Sequence, residues 1–190
     1  VRYLYMKWRN LLSFYLLLAG AYQGVPAYSM AATAKPATKL PIGVYALAGV
    51  DARFPFDDLG PLRQNIRNAE IVALGESMHA SGGYYRMKTR VIKYLVEELG
   101  FRAVMFETPW GDAEQTTHYV ETGRGTPEAA LKGLFRVWRS NEVRELLVWL
   151  RDYNRKHPRD PVSFAGFDIQ QPWYDARELE RYLSDAAPDE

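Results

Sequence analysis

The chain has 190 residues, 47% hydrophobic and 25% charged, with a formal net charge of +1 and no cysteine. That is ordinary globular composition, long enough for one domain with a sizeable core, and the dispersed, nearly balanced charge gives no electrostatic footprint for nucleic acid. The lack of cysteine excludes a disulfide framework and the acylated cysteine of a bacterial lipoprotein.

In chain order, the first element is a secretory pattern. Val1 is not a normal initiator, and a start at Met6 leaves Lys7 and Arg9 ahead of the apolar stretch Leu11 to Tyr22, followed by small residues around Ala27 and Ala31-Ala32. A spanning helix needs about 20 apolar residues, so this stretch reads as a cleaved signal peptide over residues 1–32 rather than an anchor. An exported protein, periplasmic or extracellular and without stable membrane insertion, is therefore expected. Thr33 to Leu40 has the composition of a flexible linker, and folding is expected to begin near Pro41. Leu59, Leu62 and Ile66 predict a short helix within Phe56 to Asn68.

The run Ile71-Val72-Ala73-Leu74, apolar without alternation, predicts a strand buried on both faces. Tyr84 to Leu99 carries Met87, Val91, Tyr94, Leu95 and Leu99 at helical spacing, with Gly100 where a left-handed stop is expected. A second apolar run, Ala103 to Phe106, predicts the next strand. Asp112 to Thr122 reads as a helix ended by Gly123, Thr126-Pro127-Glu128 as a capped helix start, and Ser140 as the cap of a helix over Asn141 to Arg155. A third strand is expected at Val162 to Ala165, leading into Gly166-Phe167-Asp168, and a last helix at Glu178 to Ser184. No internal repeat is visible. Alternating strands and helices predict an α/β fold with a mostly parallel central sheet flanked by helices.

Right-handed strand-helix-strand units bring strand ends to one carboxyl edge, where open α/β sheets build their sites. Glu76 and His79 follow the first predicted strand, Glu107 the second and Asp168 the third. A histidine oriented by a carboxylate can take a proton from water, and a second carboxylate can stabilise the imidazolium or place the water. Glu76, His79 and Glu107 are thus the candidate catalytic residues. Asp168 is a candidate neighbour, and Trp110 stands close enough to Glu107 to contact a substrate.

Other chemistries have partial support. A zinc protease needs two histidines four apart on a helix, and a di-iron bundle needs two Glu-x-x-His helices, where this chain has one such motif. Gly75-Glu76-Ser77-Met78-His79 matches a serine-hydrolase elbow except at its last glycine, so Ser77 competes as a nucleophile. Glu76, His79 and Glu107 would also serve as three ligands of a divalent metal with an open position. His118 and His157 read as structural.

The residues resemble the erythromycin esterase family. Leu74 to His79, Lys88, Tyr94 to Ala103, Phe106-Glu107, Tyr119 to Gly123, Trp138, Glu142, Leu147, Trp149 to Arg151, Tyr153-Asn154 and Phe164 to Gln170 agree with it in order and spacing. The resemblance implies hydrolysis of an ester of a small molecule by histidine-activated water, without a covalent intermediate and without a cofactor. It implies that His79 is the base, Glu76 and Glu107 its carboxylates and Lys88 a basic substrate-binding residue. The chain departs from the family at Ala80, where glycine is usual, and in the pair Gly82-Gly83. Family members are longer and complete their site from a downstream half, so residues 41–190 correspond to an N-terminal part, and little or no turnover is expected from them alone. The wider set of relatives includes haem-binding lipoproteins and metal-dependent proteases, which makes a metal- or haem-binding protein the alternative.

Overall fold

The apolar stripes read from the sequence become helices because each finds a partner surface. The computed structural model describes residues 44–66, 68–170 and 173–186; the predicted signal segment and linker lie outside them. A 3-10 turn at Asp57–Leu59 leads into α1 (Gly60–Ile66), followed by α2 (Gly82–Leu99), β1 (Ala103–Pro109), α3 (Glu114–Thr122) and α4 (Pro127–Lys132). A second 3-10 turn, Arg136–Trp138, precedes α5 (Asn141–Lys156), β2 (Ser163–Asp168) and α6 (Trp173–Ala186).

The ends of these helices follow the expected chemistry. Gly100 and Gly123 stop α2 and α3 in the left-handed conformation, at φ +72° and +73°. The Thr126 and Ser140 side chains accept hydrogen bonds from the backbone N–H groups of Ala129 and Val143, capping α4 and α5.

Among the described residues the sheet consists of β1 and β2, paired in parallel from Ala103↔Ser163 to Phe106↔Gly166. The register slips between Phe106 and Pro109. Gly166 makes that slip sterically feasible, since a Cβ there would lie 2.4 Å from the Thr108 carbonyl oxygen. The α3 helix packs on β2, and Thr117 donates its hydroxyl hydrogen to the Phe164 carbonyl at 2.9 Å. The buried Asn154 of α5 binds the carbonyls of Val120 and Val162 and accepts from the Val162 N–H, so one amide joins three segments.

The main core runs between the sheet and α2, α3, α4 and α5, around Ile92, Val104, Val120, Leu147, Leu150 and Phe164. A smaller cluster on the other side of α2 seats Leu59 against Met87, Val91 and Tyr94. Arg90, fully buried within α2, locks the N-terminal segment down: it donates to the carbonyls of Gly49 and Pro55 and forms an ion pair with Asp58.

One expectation is corrected. Ile71 to Leu74 forms no strand; residues 71–76 run without regular structure and have no ladder partner among the described residues. The run still packs as a core segment, Val72 against the smaller cluster and Leu74 against both. Its residue types encode burial, whereas strand formation also needs a backbone edge to pair with. The last helix starts earlier than expected, at Trp173 rather than Glu178.

Candidate active site

The Glu76–His79 loop is held from below by a tyrosine. The backbone N–H of Ala80 donates to the Tyr85 hydroxyl oxygen at 2.9 Å, and that hydroxyl donates to the Val137 carbonyl at 2.6 Å, tying the loop to the turn that carries Trp138. Burial raises the Tyr85 phenol above its ordinary pKa, which keeps it a donor at neutral pH. Ala80 itself sits at φ +58°, a left-handed conformation that glycine adopts without steric cost.

Within this loop the Glu76 carboxylate is 5% exposed and bridges two partners. Its Oε1 lies 2.8 Å from His79 Nδ1, and its Oε2 accepts from Lys88 Nζ at 2.7 Å. Since an ionised carboxylate only accepts, this network assigns the proton to Nδ1 of the neutral imidazole and leaves the Nε2 lone pair available. The His79 side chain is 56% exposed, so the ring reaches solvent while its carboxylate partner does not.

Trp138 organises the other side. Its ring meets His79 edge to face at a centroid distance of 5.8 Å, lies 5.1 Å from Lys88 Nζ, and its indole N–H donates to the Glu107 carbonyl at 2.8 Å. One buried side chain thus relates His79 and Lys88 to the end of β1. Sequence reasoning named Trp138 only as part of the family pattern and missed this role.

Glu76, His79, Lys88 and Glu107 all line one cavity of about 610 Å³. The structure therefore brings together the three candidate catalytic residues and the basic residue of α2. It does not bring Trp110 or Asp168 into that cavity. Trp110 is 70% exposed just beyond β1, and Asp168, in register with Pro109, accepts from the backbone N–H groups of Ile169 and Gln170 through Oδ1. Both stand at the carboxyl edge of the sheet, outside the His79 cluster.

The competing readings fare differently. The Ser77 hydroxyl is hydrogen-bonded to the Tyr84 hydroxyl at 2.8 Å, not to a histidine that would activate it. Among the described residues no three His, Cys, Asp or Glu side chains converge as a metal site would require. The Lys88 ammonium on Glu76 also suits a bare carboxylate better than one bound to a cation. His157 stacks on Tyr153 and pairs with its carbonyl, and His118 contacts Thr122 within α3, so both sit apart from the cluster.

The arrangement is that of an α/β protein with a carboxylate-oriented histidine and an ammonium group at one end of its sheet. The sequence profile of the Erythromycin esterase family matches residues 96–190, half of the chain, and the protein belongs to that family. Among curated proteins it is 35% identical over 114 residues to YbfO of Bacillus subtilis (strain 168), named as a candidate hydrolase, and 29% identical over 114 residues to erythromycin esterase type II of Escherichia coli. Each alignment covers 60% of this chain but 25% and 27% of the relatives, so the matched region spans about a quarter of their length. A solved succinoglycan biosynthesis protein superimposes with a TM-score of 0.66 at 31% identity, over 75% of this chain and 36% of that one. A Bacillus cereus protein superimposes with 0.65 at 32% identity, over 75% and 35%. An erythromycin esterase mutant, EreC in its open conformation, matches at 0.52 and 22% identity over 70% and 32%, a likeness of fold.

Proposed function

We propose that this protein hydrolyses an ester of a small molecule, with His79 as general base, Glu76 as its orienting carboxylate and water as the attacking group. The observation that carries the reading is the Glu76 carboxylate shared between His79 Nδ1 and Lys88 Nζ. It fixes the imidazole through one nitrogen and leaves the other for water. As water attacks the ester carbonyl, the proton moves to His79 Nε2. The developing imidazolium is stabilised by Glu76, with Glu107 a second acidic residue lining the same cavity. The proton then leaves with the alcohol.

The substrate lies across the carboxyl edge of the sheet, over the exposed ring of His79. Met78, Trp110, Phe167 and Ile169 are all more than half exposed at these strand and loop ends, a rim suited to an ester with a sizeable apolar body. Trp110 takes part as a contact to that body, and Asp168 shapes the neighbouring strand end by accepting from the backbone N–H groups of Ile169 and Gln170, outside the His79 cluster.

Membership of the family supports hydrolysis, and the hydrogen bond between the Ser77 and Tyr84 hydroxyls favours water over the serine. The test is hydrolysis of a p-nitrophenyl ester with the chain carried inside a family-length polypeptide. His79→Ala should lower kcat/KM by about 10²- to 10⁴-fold, the range expected for loss of a general base. A stable acyl adduct on Ser77, seen by intact mass spectrometry, would overturn the reading.

A further inference from the structure

The ring of His79 has few restraints of its own. It is 56% exposed, held by the Glu76 carboxylate at Nδ1 and by the edge-to-face contact with Trp138. The residue after it, Ala80, is the one non-glycine residue at positive φ among the described residues, at +58°. An L side chain there crowds its own backbone, so the torsion tends to relax out of the left-handed region. That relaxation can go only one way. Downstream, α2 starts at Gly82, its first turn is closed by the Tyr85 N–H on the Ser81 carbonyl at 3.1 Å, and Tyr85 and Met87 seat it in both core clusters. Upstream, residues 71–79 belong to no helix or strand. Rotation at Ala80 therefore turns the His79–Ala80 peptide and carries the imidazole away from Glu76.

One hydrogen bond opposes that rotation. The N–H of this same peptide donates to the Tyr85 hydroxyl oxygen at 2.9 Å. Tyr85 is 3% exposed, and its hydroxyl hydrogen is committed to the Val137 carbonyl at 2.6 Å, so the oxygen presents a lone pair in a fixed direction. From this geometry we infer that Tyr85 is a positioning residue for the reaction: its hydroxyl holds the His79–Ala80 peptide and through it keeps His79 Nδ1 on Glu76. A glycine at position 80 would adopt the same φ without steric cost and would not need the hydroxyl. Tyr85 touches no reacting atom and acts through the backbone. Its effect on rate rests on the hydrolytic reading, whereas the orientation of the ring does not, so the two can fail separately.

The experiment pairs Tyr85→Phe with the double variant Tyr85→Phe/Ala80→Gly. Phenylalanine retains the ring that packs on Trp138 at a centroid distance of 5.5 Å, so the fold is kept while the hydroxyl is lost. The first readout is the nitrogen NMR spectrum of the His79 imidazole in the 190-residue chain, at a pH where the ring is neutral, with His79→Ala assigning the signals. Wild type should show the Nδ1–H tautomer, Tyr85→Phe a mixture of the two tautomers, and the double variant Nδ1–H again. The second readout is ester hydrolysis in a family-length polypeptide. Tyr85→Phe should lower kcat about tenfold, as expected when a left-handed alanine is released, with KM within about threefold of wild type. The double variant should recover kcat to within about threefold of wild type. Tyr119→Phe, which removes the hydroxyl of another buried tyrosine, one paired with Arg151, should leave both readouts unchanged. An unchanged tautomer in Tyr85→Phe would overturn the inference. So would failure of Ala80→Gly to restore the tautomer, or an equal loss in Tyr119→Phe, which would mark a general weakening of the core.

Discussion

Replacing Gly166 by alanine tests the joint between the sheet and the site. A Cβ at this position would fall 2.4 Å from the Thr108 carbonyl oxygen and 2.7 Å from that of Pro109, whereas ordinary contact begins near 3.4 Å. Both obstacles are backbone, so β1 and β2 must part by about 1 Å where their register slips. Overpacking of this kind costs about 1–3 kcal/mol, and loss of a ladder hydrogen bond about 1 more. Gly166→Ala should therefore destabilise the chain by roughly 2–4 kcal/mol, lowering Tm by on the order of 10 °C. Urea denaturation followed by circular dichroism measures it through the midpoint at unchanged slope. Gly75→Ala is the control, because a Cβ there meets nothing within 4 Å, and it should stay within about 0.5 kcal/mol of wild type. Equal, small effects of the two substitutions would refute the close approach of the strands.

Three further outcomes follow. Asp58→Asn should cost about 3–5 kcal/mol at neutral pH by leaving the buried Arg90 without its carboxylate. The Arg90 hydrogen bond holds the Asp58 carboxyl below its ordinary pKa, so the stabilisation is full above the unfolded value near 4 and is lost as pH falls through the folded one; the gap between wild type and variant in urea midpoint should narrow below about pH 4. Ala80→Gly should stabilise slightly, because relief of about 1–2 kcal/mol of left-handed strain exceeds the glycine's entropic cost of about 0.5–1; thermal melts showing a clear loss would contradict the strain. Trp138→Phe should cost about 1–3 kcal/mol by leaving the Glu107 carbonyl without its indole donor, and indole N–H exchange in wild type should be correspondingly slow.

The helices were legible because their apolar stripes and caps are local signals: the stripe through Val91 and Leu95, the stops at Gly100 and Gly123, and the hydroxyl caps at Thr126 and Ser140 all lie within a turn or two of what they control. The β1 and β2 runs were legible for their burial, and their pairing for the helices between them. Ile71 to Leu74 carried the same signal without becoming a strand, because pairing depends on a neighbour that composition does not reveal. Of the candidate site, Glu76, His79, Glu107 and Lys88 meet on one cavity as spacing and family pattern suggested. The anchoring by Tyr85 and the bridging by Trp138 were invisible, since a hydrogen bond from α2 to a distant turn leaves no periodic trace. Arg90 shows the same limit: a charge in the middle of an apolar helix face reads as an interruption until Asp58, 32 residues earlier, is seen beside it.

The central claim is that water activated on His79 attacks the ester. The most direct measurement compares kcat/KM for ester hydrolysis among wild type, His79→Ala and Ser77→Ala in a family-length polypeptide carrying this chain. The account predicts a loss of about 10²- to 10⁴-fold for His79→Ala and a change of only a few-fold for Ser77→Ala. Loss of activity in Ser77→Ala equal to that in His79→Ala would contradict it.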